Sequence, residues 1–348
     1  MITLARTAPI FGWSYGTHTH LNQVATQRLP SSAGGVSMNP FRSLLNELQP
    51  DIDWFSIQED HDPNQKGNSH VLDMETIHHF PIVPTDPKRN HSFETIDRVF
   101  TEKNKDAVSK VPVSLLDLLP VSHSDNLVND IQSQYGKLVE LLRQWRSHTQ
   151  SANINEKTEI AKTMGRLTHK IQDATQPAHL TSYSMWQTAN PWRSPVIDAE
   201  IPFAHDNSHC FLENGIFLRK QVNQNTLPGP WNEDFQGLPA TMSVPDKPRN
   251  MADILADLPG QFKKTYLKLF DIVEVDRQAR KAHPKTEDAQ GYFRALQEGW
   301  KPIVTEQLQL ASQLTTEILQ AAWMEASRPV MVKTQILQNA VRPSTVSA

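Results

Sequence analysis

The chain has 348 residues, a formal net charge of −4, 38% hydrophobic residues and 21% charged residues. This length allows a substantial core, and this composition is typical of a globular protein rather than a disordered or fibrous one. The weakly acidic balance provides no basic surface for nucleic acid. No run of about 18 apolar residues occurs, so the sequence predicts no transmembrane segment. The single cysteine, Cys210, excludes an intrachain disulfide.

Apolar residues recur at helical spacing along the chain and predict helices in several segments. The first helix is expected over 18–29, where Pro30 and the small polar run after it end the pattern. A second helical pattern covers 41–59 and is interrupted at Pro50. Later helices are predicted over 131–145, 156–174, 208–220, 251–280 and 287–327.

Proline-rich or irregular stretches separate these helices and predict long loops, with one or two short helices in the first of them. These stretches cover 61–131, 180–205 and 226–250. No internal repeat and no alternation typical of strands is present. The sequence therefore predicts an all-α fold, a single multi-helix domain with long loops.

Familiar catalytic motifs are absent from the sequence, namely GxGxxG, GxxxxGK[ST], GxSxG and HExxH. The predicted helix before Pro177 is more informative, because it carries His169 and Asp173 four residues apart. Residues at that spacing share a face of a helix. An apolar stripe on the opposite face predicts a central helix buried on both sides, and Gly165 leaves room one turn before His169. The stripe consists of Ile160, Met164, Leu167 and Ile171.

A buried histidine and aspartate at this spacing have two interpretations. They can form a hydrogen-bonded pair, because buried polar groups generally find partners. They can also bind a metal, because imidazole and carboxylate ligands suit zinc. His179 favours the metal, since Pro177 ends the helix and turns a further imidazole back. His209 and Glu213 repeat the spacing, and together these residues suffice for a two-metal site.

The stretch MGRLTHKIQDATQPAH, residues 164–179, resembles the signature of the bacterial zinc-dependent phospholipases C and the related S1/P1 nucleases. The His-x3-Glu at 209–213 matches the segment that follows in that superfamily. The Trp-x4-His of WSYGTH, the acidic and histidine-bearing 56–75 and the final helix, 311–329, are also similar. The resemblance implies a catalytic domain over 13–329, flanked by an N-terminal extension or leader remnant, 1–12, and a C-terminal tail, 330–348.

The resemblance implies three Zn²⁺ ions, each held by matched positions of this sequence. Asp60, His70, His169 and Asp173 would hold one ion. His179, His209 and Glu213 would hold a second, and Trp13, His18 and Asp173 a third, with Asp173 bridging. The resemblance also makes Asp60 the candidate catalytic base for a metal-activated water.

Three of these assignments have open alternatives. In the family, the tryptophan that completes the third site is N-terminal, whereas twelve residues precede Trp13; either the chain is cleaved before Trp13, or that site is altered or empty. His20 competes with His18, and the spacing from the tryptophan favours His18. Asp60 competes with three nearby aspartates, Asp51, Asp53 and Asp62.

The implied reaction is hydrolysis of the glycerol–phosphate diester of phospholipids, and the alternative is an S1/P1-type nuclease or another phosphoesterase on the same fold. Val71 follows His70, where the nuclease branch places an aromatic residue that stacks on a base. Nucleic acid is therefore not expected as a substrate. A third alternative is a non-catalytic protein in which the metal only holds the fold.

A phospholipid substrate implies transient contact with a membrane surface. Trp186 and Trp192 could make that contact, or they could pack their loop onto the core. A secreted or periplasmic location is expected, although no complete signal peptide is visible.

Overall fold

The structure is a computed structural model that describes residues 15–61, 72–77, 79–82, 90–115, 127–148, 153–183, 185–186, 212, 248–284 and 288–328. Eight α-helices form most of this part of the chain, which confirms the predicted all-α class. They are α1 (Tyr15–Arg28), α2 (Asn39–His61), α3 (Phe93–Val99), α4 (Glu102–Lys110), α5 (Leu127–Ser147), α6 (Ile154–Asp173), α7 (Met251–Ala282) and α8 (Ala289–Ala326).

Short 3-10 turns and two-residue strands connect these helices in the described ranges. The turns cover Met74–Thr76, Val113–Leu115 and Pro177–Leu180. β1 (Ser32–Ala33) pairs antiparallel with β2 (Val36–Ser37), and β3 (Asn90–His91) pairs parallel with β4 (Met185–Trp186). Among the described helices, none has an 18-residue stretch hydrophobic enough to span a bilayer.

Helix α6 is the centre of the fold, because α1, α2, α5 and α8 all pack against it. From Ile160 to Asp173 nearly every side chain is buried, including the predicted apolar stripe and the polar residues of the opposite face. The prediction of a central helix with both sides buried is therefore confirmed. A helix in this position can present polar side chains to an interior from which water is largely excluded.

The predicted interruption at Pro50 is wrong, because α2 continues through it from Asn39 to His61. Proline lacks the amide hydrogen that a helix interior uses, which removes one backbone hydrogen bond. The apolar face of α2, including Phe41 and Ile52, is buried and packs against α1 and α6. This tertiary packing stabilises the helix despite the lost bond. Helices α7 and α8 likewise contain Pro259 and Pro302.

The contact between α2 and α6 is closest at Gly165. A Cβ atom at this position would lie 2.6 Å from the carbonyl oxygen of Ile52 and 2.8 Å from the amide nitrogen of Ser56. These two backbone groups are four residues apart in α2, the spacing of a helical hydrogen bond. Only a residue without a side chain lets the two helix backbones approach so closely.

The carboxyl group of Glu75 joins three separate parts of the chain inside the core. It accepts hydrogen bonds from the hydroxyl of Tyr266 in α7 at 2.7 Å, from the amide of Ser182 at 3.1 Å and from the hydroxyl of Thr181. Burial raises the pKa of Glu75 to about 7, although these hydrogen bonds oppose the shift. Glu75 therefore binds the segment that follows the Pro177–Leu180 turn to the segment around residue 75 and to α7.

We predict that Gly165→Ala lowers the free energy of unfolding by about 2–3 kcal/mol, because the new methyl group overlaps rigid backbone rather than a movable side chain. Urea denaturation measures this change. Gly136→Ala is the matched control, since a Cβ there meets nothing within 4 Å. Removing a glycine from a helix should stabilise that variant by about 0.5–1 kcal/mol. Equal stability of Gly165→Ala and the wild type would contradict the close approach.

We also predict that Glu75 makes stability depend on pH. Its pKa rises from 4.5 to about 7 on folding, so the folded state binds this proton more tightly. The resulting stabilisation is complete below about pH 4.5 and is lost as the pH rises through about 7, a change on the order of 3 kcal/mol. Urea unfolding at several pH values should show that the free energy of unfolding declines less with rising pH for Glu75→Gln than for the wild type. Glu159→Gln, which removes a surface carboxylate of α6, should retain the wild-type decline.

Candidate metal centre

Asp173 occupies the last position of α6, and its carboxylate is fully buried. His169 lies one turn earlier on the same face, and its Nε2 is 3.0 Å from Oδ2 of Asp173. The spacing of four residues brings the two groups together, as the sequence predicted. The helix thus delivers an imidazole and a carboxylate to one point inside the protein.

Two further imidazoles reach the same carboxylate from other elements. His18 comes from α1, and its Nε2 lies 3.5 Å from Oδ1 of Asp173. Its ring stacks on that of His169, with centroids 4.2 Å apart and planes inclined by 22°. His179 comes from the 3-10 turn, and its Nδ1 lies 3.8 Å from Oδ2 of Asp173. All three imidazoles are buried.

Local sequence explains why the chain after α6 turns back towards its own end. Pro177 starts the 3-10 turn, and the side chain of Gln176 caps it by accepting a hydrogen bond from the amide of Ala178 at 2.5 Å. The carbonyl of His179 accepts a hydrogen bond from the amide of Leu72 at 2.8 Å. These bonds hold the turn so that His179 faces Asp173.

The donor atoms fit a metal ion in chemistry and in spacing. His18, His169 and Asp173 each offer one ligand atom, and these atoms lie within 4.8 Å of one another. Around a tetrahedral zinc with bonds of about 2.0–2.1 Å, two ligand atoms lie roughly 3.4 Å apart. The distances from the imidazole nitrogens of His169 and His18 to Asp173, 3.0 and 3.5 Å, lie close to that value. The group could therefore hold a metal ion.

Hydrogen bonds link the imidazole of His18, through Gln172, to further buried amide and hydroxyl groups. Its Nδ1 lies 2.6 Å from Oε1 of Gln172, whose Nε2 donates to Oδ1 of Asn22 at 2.9 Å and to Oγ1 of Thr315 at 3.4 Å. Nδ2 of Asn22 donates to Oδ1 of Asp53 at 3.3 Å. Burial raises the pKa of Asp53 to about 6, opposed by hydrogen bonds from Gln49, Asn22 and Gln23.

These contacts bear on the alternatives that the sequence left open. The close group contains His18, whereas His20 is not part of it among the described residues. Asp51 is exposed, and the carboxylate of Asp53 is bound by Gln49 and Asn22 instead of an imidazole. Asp60 belongs to the last turn of α2, but its side chain lies outside what the structure describes.

Five other predicted positions lie outside the described residues, and their roles stay predictions. They are Trp13, Asp62, His70, His209 and Glu213. The predicted helix at 208–220 also lies outside them, apart from the buried Leu212. The structure thus brings together His18, His169, Asp173 and His179 and describes no side chain of the remaining proposed ligands.

The sequence prediction missed the polar residues that support the centre. Gln172 had a local signal, since it is a polar residue next to Asp173 on a helix expected to be buried. Asn22 and Thr315 had none, because their partners come from helices distant in sequence. Their role follows only from the packing of α1 and α8 against α6.

No protein-family model and no curated protein matches this chain. Among solved structures, the alpha toxin of Clostridium absonum is similar with a TM-score of 0.48 and 14% identity, covering 91% of this chain and 65% of the toxin. The alpha-toxin of an avian strain of Clostridium perfringens gives a TM-score of 0.41 and 14% identity, covering 91% of this chain and 66% of the toxin. The chain spans slightly less than two thirds of either toxin.

Proposed function

We propose that this chain is a zinc-dependent phosphodiester hydrolase of the phospholipase C type. The observation that carries the proposal is the buried carboxylate of Asp173 with nitrogens of His18, His169 and His179 at 3.0–3.8 Å. A carboxylate is costly to bury unless opposite charge compensates it. Imidazole nitrogens that converge on one carboxylate form a ligand set for which zinc has high affinity.

The two oxygens of Asp173 face different partners, which supports more than one ion. Oδ1 faces His18, whereas Oδ2 faces His169 and His179. Asp173 would therefore be a ligand of two of the proposed ions, as the sequence resemblance implies. The proposed ligands of three zinc ions are Trp13, His18, Asp60, His70, His169, Asp173, His179, His209 and Glu213.

The backbone contact between Leu72 and His179 supports the inclusion of His70. Leu72 is two residues after His70, and its amide binds the carbonyl of His179. Under the proposal, the chain on either side of that hydrogen bond would contribute one histidine to the ligand set. Glu75 holds the same segments together through Thr181 and Ser182.

The residues of the chain have distinct proposed roles in catalysis. The imidazoles and Asp173 hold the metal, and Asp60, near the end of α2, accepts a proton from the attacking water. When bound, zinc would neutralise phosphate oxygens and lower the pKa of a water ligand towards neutrality. Exclusion of water around Asp173 strengthens these electrostatic interactions.

A phospholipid is the proposed substrate, reached by transient contact with a membrane surface after secretion or export to the periplasm. The net charge of −4 does not attract a polyanion, and Val71 provides no ring for base stacking. These two observations favour the phospholipase over the nuclease.

The substrate is tested with phosphatidylcholine micelles and single-stranded DNA as parallel substrates for the full chain. We expect release of the phosphorylated headgroup from the lipid, no cleavage of the DNA, and loss of activity after treatment with a chelator. Far-UV circular dichroism should change little after metal removal. Cleavage of DNA alone would overturn the phospholipase proposal, and loss of helicity with the metal would support a structural role for zinc.

We predict that Asp173→Asn loses bound zinc and that its rate of hydrolysis falls at least about 1000-fold. This fall corresponds to an activation free energy about 4 kcal/mol higher. The amide keeps the shape of the side chain but removes the charge that compensates the cation. Zinc content by elemental analysis and the rate of lipid hydrolysis measure the two effects. Asp60→Asn should lose activity as well, because the proposed base is removed.

The control for this prediction is Asp276→Asn. Asp276 is also buried, but its carboxylate accepts hydrogen bonds from Tyr292 at 2.5 Å and from Arg280 at 3.0 Å instead of facing the imidazoles. This variant should retain zinc even if its stability falls. Retention of wild-type zinc content by Asp173→Asn would refute the proposed ligand role.

A further inference from the structure

The hydrogen bond between His18 and Gln172 constrains which nitrogen of His18 carries a proton. Nδ1 of His18 lies 2.6 Å from Oε1 of Gln172, and both side chains are buried. An amide oxygen can only accept, so Nδ1 must be the donor in this contact. In a neutral ring the other nitrogen, Nε2, then carries a lone pair. That nitrogen is the one that faces Oδ1 of Asp173.

The orientation of the Gln172 amide follows from two independent contacts. Its Nε2 faces Oδ1 of Asn22, and the amide of Asn22 is oriented in turn because its Nδ2 donates to the carboxylate of Asp53. A carboxylate accepts only, which excludes the flipped amide of Asn22. Nε2 of Gln172 also faces Oγ1 of Thr315, whose hydroxyl already donates to the carbonyl of Ala311 at 2.8 Å. Both contacts therefore require the amide oxygen of Gln172, Oε1, to face His18.

Two electron-rich atoms that face each other at 3.5 Å repel, whereas a cation between them is attracted to both. A neutral His18 held with its Nε2 lone pair towards Asp173 is therefore suited to a metal ion. Ligating histidines commonly donate their other nitrogen to a carbonyl or carboxylate, which sets the ring orientation. Here the acceptor is a glutamine amide carried by the helix that also carries Asp173.

We propose that Gln172 is a positioning residue that selects the Nδ1-protonated form of His18 and so presents Nε2 as a metal ligand. Asn22 and Thr315 orient the amide of Gln172, and Asp53 orients the amide of Asn22. The inference rests on the proposed zinc site, but the tautomer of His18 is a property of the metal-free chain. It can therefore be tested independently of the proposed hydrolase activity.

The first experiment measures the side-chain nitrogens of ¹⁵N-histidine-labelled, metal-free full chain by NMR, with His18 assigned from a His18→Ala variant. The pH is about 8.5, well above the ordinary imidazole pKa of about 6.5. We expect protonated Nδ1 and unprotonated Nε2 for His18. A ring protonated at Nε2, or at both nitrogens, would overturn the proposal. This measurement needs no substitution of Gln172.

The second experiment measures Zn²⁺ affinity by competition with a chelator. Gln172→Met removes the acceptor at similar volume, and we expect an affinity about 10- to 100-fold weaker than that of the wild type. Gln172→Glu keeps an acceptor for Nδ1 and should recover most of the affinity. Gln307→Met is the matched control, because Gln307 is a buried glutamine of α8 whose Oε1 accepts a hydrogen bond from Thr265 of α7 at 3.0 Å. It should bind zinc as the wild type does.

The outcomes separate the two proposals. Wild-type affinity in Gln172→Met would overturn the positioning role even if the enzyme hydrolyses phospholipid. A wild-type chain that binds no zinc would overturn the proposed function, and the NMR result would still decide whether His18 carries its proton on Nδ1, as the contact with Gln172 requires. A glutamate variant as weak as the methionine variant would also count against hydrogen-bond acceptance as the cause.

Discussion

The buried negative charge of Asp173 is the constraint on which the rest of the site depends. Transfer of a carboxylate out of water costs several kcal/mol unless nearby groups compensate it. Here its oxygens face nitrogens of His18, His169 and His179. Neutral imidazoles offer limited compensation, whereas a divalent cation held between them would offset the charge directly. The same arrangement that is costly without a cation thus becomes favourable with one.

This arrangement requires a helix that is surrounded on all sides. Helix α6 packs against four other helices, and α2 can approach its backbone because Gly165 has no side chain. One face of α6 then supplies apolar contacts, while the other supplies His169, Gln172 and Asp173. Because bulk water is excluded there, each polar group must bind another protein group or a ligand. The ordered contacts from Asp53 through Asn22 and Gln172 to His18 follow from this requirement.

The turn after α6 depends on a second buried acid. Glu75 binds Thr181, Ser182 and Tyr266, and the amide of Leu72 binds the carbonyl of His179. These contacts attach the segment 72–75 and helix α7 to the chain that carries His179. The position of one proposed ligand is thus maintained by groups that do not themselves approach Asp173.

The sequence by itself determined the helical class, the central position of α6 and the pairing of His169 with Asp173, because these depend on periodicity and on spacing within one helix. It also indicated that Pro177 turns His179 back. Tertiary structure alone decided that α2 continues through Pro50, since packing on α1 and α6 compensates for the lost hydrogen bond. It likewise decided that Asp53 binds Asn22 and Gln49 and that Gln172 faces His18. Those contacts join residues up to 154 positions apart, and no local pattern encodes which of two distant polar groups will meet.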